Sequence, residues 1–517
     1  MTDSRPVRVR FAPSPTGGLH LGGVRTVLYN YLFARRHNGT FVLRIEDTDQ
    51  TRFVPGAEEY ILDCLAWCGL SPDESVLHPG NFGPYRQSER KADYRQYAEQ
   101  LVASGHAYYA FDTPEELEAM RENLKTAENP SPQYDRHTRM QMRNSLSLSE
   151  EEVAALLAAH TPYVIRAKMP DSGTVSFTDA VRGEVSFDLS LVDDKVLLKR
   201  DAMPTYHLAV VVDDYRMEIT HAFRGEEWLP SAPVHLFLWD ALGWKKQMPQ
   251  WAHLPLILGP DGAKLSKRHG AKYGFPIFAM SWTDPKTGET TEGFRERGFL
   301  PEAFLNDLAL LGWNDGSGEE IFSLEELVQR FSLDRVAASG AVFDYEKARW
   351  FNHQHIQRLP DAELVARVAP FLAAKGITAD EEELLKILPA IKERCYLLTD
   401  FQEQGAFFFT APENVDVEAI RPKWNEKLAL FFRNYAAALD GHEYMSAEEA
   451  GSHFASLLAE AGVKKGEAML PLRVMLVGGK FGPDLFFILS HIGGKEAATR
   501  IRHVAELLKN SNSAASN

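Results

Sequence analysis

The fold of this chain is decided by the stretch Ser14-Pro15-Thr16-Gly17-Gly18-Leu19-His20-Leu21-Gly22-Gly23. Residues 7–11, just before it, alternate in the manner of a β-strand, and residues 24–36, just after it, carry apolar side chains at helical spacing. A strand, a Pro/Gly turn and a helix in this order are typical of an open parallel α/β sheet. In such a sheet the turn and the helix N-terminus, where His20 is expected, face bound phosphate.

A second string, Lys264-Leu265-Ser266-Lys267-Arg268, follows a strand pattern at 254–258 and a turn at 259–262. Its lysines are therefore predicted on a loop that leaves a strand. Such lysines can meet the charge that develops on pyrophosphate when a carboxylate attacks the α-phosphate of ATP. A carboxylate is already ionised at neutral pH, so this reaction needs no base from the protein. Together the two strings predict activation of a carboxylic acid with ATP, with His20, Lys264 and Lys267 as the catalytic residues.

Acidic residues follow a second predicted strand. Residues 41–45 lead directly into Glu46-Asp47-Thr48-Asp49, which places carboxylates at the carboxyl edge of the sheet. Clusters of this kind bind a substrate ammonium or a metal, although a solvated loop is more common. Strand patterns return at 195–199 and 208–214, and the unbroken apolar run of the latter predicts a strand buried on both faces.

The composition is that of an ordinary globular protein. The chain has 517 residues, 44% of them hydrophobic and 25% charged, and this length suggests three or four domains of roughly 150 residues each. No apolar run approaches the ~20 residues that cross a bilayer, and the first residues lack the apolar stretch of a signal peptide. Only three cysteines are present, which favours a reducing compartment, and a cytoplasmic location is expected.

The net charge of −16 does not exclude a nucleic-acid partner, because local basic patches can bind phosphate on an otherwise acidic protein. Cys64 and Cys68 lie four residues apart in an amphipathic helical stretch and are interpreted as buried thiols rather than metal ligands.

The domain pattern changes along the chain. We predict the first half of an α/β catalytic domain at 1–104, an inserted α+β domain at 105–194, the second half with the lysine loop at 195–325, and an all-helical domain at 326–517. Capping boxes begin helices after Thr113 and Ser149 in the insertion, and after Ser323 and Ser446 towards the C-terminus.

These motifs resemble those of a known enzyme class. The first string resembles the HIGH motif and the second the KMSKS motif of class I aminoacyl-tRNA synthetases. Four further strings are similar to the bacterial glutamyl-tRNA synthetases, and the resemblance covers essentially the whole chain: Arg44-Ile45-Glu46-Asp47-Thr48-Asp49, Pro84-Tyr85-Arg86-Gln87-Ser88-Glu89-Arg90, Pro204-Thr205-Tyr206-His207 and Arg224-Gly225-Glu226-Glu227-Trp228. The resemblance implies a Rossmann-like parallel-sheet catalytic domain with an inserted α+β domain, followed by an all-α anticodon-binding region.

The resemblance also implies an activity and a set of site residues. ATP, with Mg²⁺, would activate L-glutamate to glutamyl-adenylate, and the glutamyl group would pass to the 3′ end of tRNA. A monomer is expected, with tRNA contacted at its acceptor end and anticodon. Arg224 would offer a guanidinium fork to the substrate γ-carboxylate, and Arg394 would read the anticodon. The remaining roles are glutamate binding by Arg10, Ala12, Ser14, Glu46 and Tyr206, and ATP binding by Thr16, Gly17, His20, Gly22, Glu227, Trp228, Lys264, Ser266 and Lys267.

The chain departs from the family pattern at several places. Gly23 replaces the second histidine of the HIGH string, and Val210 stands where some relatives carry an amide. Zinc-containing relatives have Cys-x-Cys in the segment where this chain has Tyr109-Ala110-Phe111-Asp112-Thr113, and a further ligand pair near Tyr134 and Thr138. Both cysteines are missing here, so we predict no structural zinc. An insertion at 274–293 is predicted to form a surface hairpin. The string His491-Ile492-Gly493-Gly494 spells the HIGH opening but follows an apolar helix pattern, and is interpreted as a helix C-terminus.

Four alternatives compete with this interpretation. A related adenylyltransferase without RNA would not need the helical extension, and a truncated relative that modifies a tRNA base would lack it. A non-catalytic tRNA-binding paralogue would be expected to lose His20, Lys264, Lys267 or Arg224. A non-discriminating enzyme that also glutamylates tRNA(Gln) stays open.

Overall fold

The computed structural model describes residues 5–442 and 446–514. The chain divides into two compact units. The first comprises the chain up to Glu296 together with Pro301–Ala348, and the second comprises Arg297–Leu300 together with the chain from Arg349 onwards.

The first unit is built around a parallel sheet. Its strand order is β2-β1-β8-β9, with all neighbours parallel. A three-stranded antiparallel sheet, β3-β4-β7, and a hairpin, β5-β6, lie between its two halves in the sequence. The strands are β1 (Arg8–Phe11), β2 (Thr40–Leu43), β3 (Ala107–Ala110), β4 (Val164–Ala167), β5 (Thr174–Asp179), β6 (Gly183–Asp188), β7 (Val196–Leu198), β8 (His221–Gly225), β9 (Gln250–Leu254), β10 (Ile257–Leu258), β11 (Trp282–Thr283), β12 (Thr290–Thr291) and β13 (Ala341–Val342).

Helices connect the strands of the first unit and form most of the second unit. Those of the first unit are α1 (Leu21–Arg36), α2 (Ala57–Cys68), α3 (Lys91–Ala103), α4 (Pro114–Leu124), α5 (Glu150–Ala158), α6 (Tyr206–Arg216), α7 (Ala232–Ala241), α8 (Lys267–Tyr273), α9 (Phe294–Arg297), α10 (Pro301–Leu310) and α11 (Leu324–Arg330). They continue with α12 (Tyr345–Arg358), α13 (Asp361–Ala373), α14 (Glu381–Ile391), α15 (Asp400–Phe409), α16 (Glu426–Leu439), α17 (Ala447–Ala461), α18 (Lys465–Val477), α19 (Leu485–Ile492) and α20 (Gly494–Ala514).

The predicted strand, turn and helix at the N-terminus are confirmed as β1, the turn and α1. The side chain of His20 caps α1, and its Nδ1 accepts from the N–H of Gly22. The capping boxes after Thr113, Ser149, Ser323 and Ser446 are all formed. The α/β fold with an all-helical C-terminal part is therefore confirmed, and no described helix is long and apolar enough to cross a membrane.

The prediction of a strand at 208–214 is wrong, because these residues form part of α6. All seven are buried, so no polar face marks the helical period, and a short apolar run of this kind is equally typical of a buried strand. The helix places Tyr206, Val210 and Asp214 at positions i, i+4 and i+8, on one face. A strand would have separated them along its length.

Three further predictions concern the strand at 195–199, the paired cysteines and the string at 491–494. The strand predicted at 195–199 is present as β7, but it pairs with β4 in the antiparallel sheet rather than with the parallel one. Cys64 and Cys68 are buried free thiols. The string at 491–494 ends α19, whose C-cap is Gly493, as predicted.

A buried acid in α10 makes the stability of the first unit depend on pH. Asp307 is 6% exposed, and burial raises its pKa from 3.8 to about 7, with Asp344 adding to the effect and Lys347 opposing it. The folded form therefore holds a proton that the unfolded chain releases above pH ~4. The contribution of Asp307 to the stability of the folded form is complete below pH ~4, and it is lost as the pH rises through 7.

Asp307→Asn should remove this loss. We expect the thermal midpoint of the variant, relative to the parent protein, to rise between pH 5 and pH 8, by the equivalent of about 2.5 kcal/mol of unfolding free energy. Melting curves of both proteins at the two pH values measure this. If the melting temperatures of the two proteins differed equally at pH 5 and at pH 8, the pKa of Asp307 would not be raised.

Candidate active site

A cavity of about 1140 Å³ opens at the carboxyl ends of β1, β2 and β8. It brings together residues from strings that are far apart in the sequence. The lining residues that the sequence predicted are Arg10, Ala12, Ser14, Thr16, His20, Gly22, Glu46, Tyr206, Arg224, Glu227, Trp228, Lys264, Ser266 and Lys267. Gly17 is not among the lining residues. It supports the turn instead, with a φ of 140° that favours glycine.

His20 lines the cavity and has one ring nitrogen without a partner among the described residues. Its Nδ1 accepts from the backbone N–H of Gly22 at 3.3 Å, so the proton of the neutral ring lies on Nε2. That Nε2 is buried and has no hydrogen-bond partner among the described residues. Burial, reinforced by the positive charges of Lys264 and Lys267, lowers the pKa of His20 to about 4. At neutral pH His20 is therefore an uncharged donor that can bind a phosphate oxygen.

The lysine string is held on a closed turn. The N–H of Gly259 donates to the carbonyl of Ala263 at 2.7 Å, and His269 bridges the cap residue Ser266 to Asp261. A Cβ on Gly259 would lie 2.5 Å from the His269 ring, so only glycine permits this approach. Nζ of Lys264 lies 3.0 Å from Oε1 of Glu227.

The other end of the cavity borders a buried ion-paired cluster. Arg10 binds both carboxylate oxygens of Asp214, with its Nε 3.0 Å from Oδ1. Arg44 contacts Asp214 at 2.9 Å and Glu46 at 3.0 Å. The whole cluster comprises Arg10, Arg44, Arg90, Arg224, Glu46, Asp213 and Asp214.

In two members of this cluster, of opposite charge, burial disfavours the charged form. Burial lowers the pKa of Arg224; its Nη2 is 3.8 Å from Asp214 and its buried Nε has no partner among the described residues. Burial likewise raises the pKa of Glu46 even though Arg44 and Arg10 oppose the shift. Both line the cavity. A ligand that carries a carboxylate and an ammonium would compensate both.

Several cluster members were missed in the sequence. Asp213 and Asp214 follow directly after the apolar run of α6. Burial disfavours the charge of Asp214, but the positive charges of Arg10, Arg44 and Arg224 outweigh this effect and lower its pKa. Asp214 is therefore ionised. The signal was present, because two acids at the end of a buried run need positive partners. The assignment of this run to a strand hides that signal.

The insertion at 274–293 is only partly the predicted surface hairpin. β11 and β12 form that hairpin, and its tip is exposed. Residues 275–280, in contrast, are buried against the stretch at 14–23. There the carbonyl of Ile277 accepts a hydrogen bond from the N–H of Leu21 at 3.0 Å. The ring centroid of Phe278 lies 5.1 Å from Nζ of Lys267.

We expect Phe278→Ala to slow adenylate formation about threefold to thirtyfold, through loss of its cation–π contact with Lys267. Shortening the exposed tip at 284–289 is the matched control and should leave the rate unchanged. Single-turnover rates with ATP and amino acid measure both. If both changes slowed adenylate formation equally, the rate would depend on the insertion as a whole and not on the contact between Phe278 and Lys267.

Aromatic and polar packing occupies the place where some relatives carry cysteines. The hydroxyl of Tyr134 donates to Asp112 at 2.9 Å and accepts from the amide of Asn144 at 2.9 Å. The guanidinium of Arg166 lies 4.0 Å above the Tyr134 ring. Within residues 5–442 and 446–514, no group of three or more His, Cys, Asp or Glu is arranged to hold a metal.

Purified protein should therefore contain far less than one zinc per chain, and chelation should leave its melting temperature unchanged. Elemental analysis by mass spectrometry and melting curves with and without chelator measure these two quantities. Stoichiometric zinc would overturn the prediction.

Arg394 lies in the second unit. It is exposed, and its Nη2 donates to the carbonyl of Gly482 at 3.0 Å. Arg473 donates to the neighbouring carbonyl of Pro483 at 2.8 Å. The adjoining Phe481 is 82% exposed. The sequence singled out Arg394 alone, whereas the fold places it beside a second arginine and an exposed aromatic ring.

Comparisons with known proteins agree with this architecture. Residues 6–350 match the family model described as tRNA synthetases class I (E and Q), catalytic domain, and residues 363–505 match an anticodon binding domain. A glutamate–tRNA ligase of Amoebophilus asiaticus is 52% identical over 505 residues, which are 98% of this chain and 99% of the relative. A glutamate–tRNA ligase of Porphyromonas gingivalis is 50% identical over 509 residues, with 98% and 99% covered.

A solved structure is similar over the same length. The crystal structure of a glutamate tRNA ligase from Elizabethkingia meningosepticum, in complex with its amino acid, superimposes with a TM-score of 0.92 at 46% identity. The match covers 98% of this chain and 100% of that one. The resemblance seen in the sequence motifs is thus confirmed. This chain belongs to the class I tRNA synthetases of the E and Q family.

Proposed function

We propose that this chain is a glutamate–tRNA ligase: it activates L-glutamate with ATP and transfers the glutamyl group to the 3′ end of tRNA(Glu), releasing AMP and diphosphate. The observation that carries the proposal is that Arg224 and Glu46 line the same end of the cavity, where Arg224 has a carboxylate contact of 3.8 Å to Asp214 and a buried Nε without a partner among the described residues. Glutamate supplies the partners for both, a carboxylate for Arg224 and its ammonium for Glu46.

Charge favours glutamate over glutamine. The ion-paired cluster holds four guanidiniums and three carboxylates, an excess of one positive charge. Glutamate brings one net negative charge at neutral pH, and glutamine brings none. An amide in front of Arg224 would leave a buried guanidinium without a counter-charge, which is costly. Sites built on such polar contacts discriminate by roughly 10⁴ or more.

The other end of the cavity supports binding of the ATP phosphates. His20 offers its Nε2–H, and Lys264 and Lys267 supply positive charge on the turn opposite it. When glutamate attacks the α-phosphate, these groups hold the departing pyrophosphate while negative charge builds up there. A Mg²⁺ ion that arrives with ATP would be held mainly by phosphate oxygens and water, with Glu227 as the cavity-lining carboxylate beside Lys264, and would neutralise phosphate charge.

Residues in the second unit support tRNA binding. Arg394 and Arg473 anchor the loop that carries the exposed Phe481. Burial, together with the neighbouring Arg394, lowers the pKa of Arg473, and Asp484 opposes the shift. Arginines beside an exposed aromatic ring are suited to unstacked bases, which stack on the ring while their edges accept hydrogen bonds. We assign this surface to the anticodon, and propose a monomer acting in the cytoplasm.

Aminoacylation with two purified tRNAs tests the proposal. Radiolabelled glutamate should be transferred to tRNA(Glu) in an ATP-dependent reaction, and glutamine should not be transferred. Charging of tRNA(Gln) as well would identify the non-discriminating form of the enzyme. Charging of neither tRNA, with intact ATP binding, would contradict the proposal and favour a non-catalytic tRNA-binding protein.

A further inference from the structure

His235 lies beside Arg224 without lining the cavity. It is on α7, and its side chain has no exposed surface (0%). Its Nδ1 is 3.0 Å from Nη1 of Arg224, and its Nε2 is 3.2 Å from Nδ1 of His207. A chain of three side chains therefore leads from Arg224 at the cavity wall through the buried His235 to the half-buried His207.

The direction of these hydrogen bonds follows from their chemistry. A guanidinium can only donate, so Nδ1 of His235 must accept from Arg224 and carries no proton. The proton of the neutral ring then lies on Nε2, which donates to Nδ1 of His207. Burial, with Arg224 and His207 adjacent, holds the pKa of His235 well below its ordinary value. His235 is thus a neutral acceptor with a defined tautomer.

A neutral partner has a different effect on Arg224 from a carboxylate. Arg10, for comparison, is bound by both oxygens of Asp214, so its charge is largely neutralised within the protein. Arg224 is oriented instead by an imidazole, and the Trp251 ring lies 5.0 Å from its guanidinium carbon. Its one carboxylate contact in the ion-paired cluster is the long one to Asp214, at 3.8 Å.

We infer that His235 is a positioning residue for Arg224. It fixes the guanidinium fork through an uncharged acceptor, so that the positive charge stays available to the side-chain carboxylate of the substrate. The inference rests on the proposed function and deepens it, because it names what prepares Arg224 for glutamate. An acid at position 235 would pair with Arg224 and compete with the substrate, and an apolar residue would leave one N–H of the fork without a partner.

Three substitutions at position 235 distinguish these effects. Oδ1 of asparagine lies close to where Nδ1 of histidine was, so His235→Asn should keep the acceptor and raise KM for glutamate by less than about threefold. His235→Leu removes the acceptor and should raise it by about tenfold to a hundredfold, the loss typical of a hydrogen bond to a charged group. His235→Asp should also raise it, by at least as much, although it restores an acceptor. KM for ATP should change by less than about threefold in all three variants.

A buried histidine whose side chain makes no hydrogen bond to Arg224 provides the control, and it lies opposite Arg224 in the backbone register of β8 and β9. His253 pairs with Asp179 at 2.6 Å, and His253→Leu should lower the melting temperature while KM for glutamate stays within about threefold of the parent value. Steady-state aminoacylation with tRNA(Glu), varying glutamate and ATP separately, measures all of these constants.

The outcomes separate this inference from the proposed function. If the parent enzyme does not charge tRNA(Glu) with glutamate, the proposed function fails. If the parent enzyme is active but His235→Leu and His253→Leu raise KM for glutamate equally, His235 has only a structural role. If His235→Asp binds glutamate as well as His235→Asn does, the neutral character of the acceptor is irrelevant. Should His235→Asp fail to fold, the pair His235→Asn and His235→Leu still tests the acceptor.

Discussion

Arg224→Ala is expected to abolish glutamate activation, with a fall in kcat/KM for glutamate of about 10³-fold or more. In most buried ion pairs the protein itself supplies the counter-charge, but here the ligand supplies it. Arg224 is 5% exposed and is only weakly compensated by the protein, so most of its electrostatic partnership is left for the ligand. ATP–pyrophosphate exchange in the presence of tRNA, with glutamate varied, measures the loss.

The conservative variant and the surface control sharpen this result. Arg224→Lys keeps the charge but loses the planar fork, so it should recover part of the activity and little of the discrimination against glutamine. Arg95→Ala removes an exposed arginine that pairs with Glu99 and should leave kcat/KM unchanged. Retention of glutamate selectivity in Arg224→Ala would disprove the assignment of the side-chain carboxylate to this residue.

Lys267→Ala is expected to slow adenylate formation about 10²- to 10³-fold, the loss typical of one preorganised group that stabilises transition-state charge. KM for glutamate should change little, because Lys267 belongs to the phosphate end of the cavity. Single-turnover formation of adenylate at saturating ATP and glutamate, with tRNA present, is the measurement that separates chemistry from binding.

Lys272 is the matched control for Lys267. Both lie on α8 and both are exposed, but Lys272 does not line the cavity. Lys272→Ala should therefore keep the parent rate. Equal losses in the two variants would indicate that the helix needs its positive charge in general and would remove Lys267 from the catalytic group.

Prediction from the sequence succeeded where local chemistry and spacing are sufficient. The turn at 14–23 specified a strand, a helix and the position of His20 at the cap, because Pro and Gly allow few backbone conformations and the apolar period of α1 is clear. The lysine string could likewise be placed on a loop. Prediction failed at α6, since a run of buried apolar residues has no polar face from which to read its period.

The sequence by itself determined which chemical groups are available: a capping histidine, two lysines on a turn, and an arginine and a glutamate at strand ends. Only the tertiary structure decided how each group is compensated. Arg10 and Arg224 are both arginines near the end of a strand, yet Arg10 is bound by both oxygens of Asp214 and Arg224 is oriented by His235. Their partners come from α6 and α7, more than 200 residues from Arg10 in one case and 11 from Arg224 in the other. Whether a charge is neutralised or left for a ligand depends on which side chains the fold packs against it, and spacing along the chain does not reveal this.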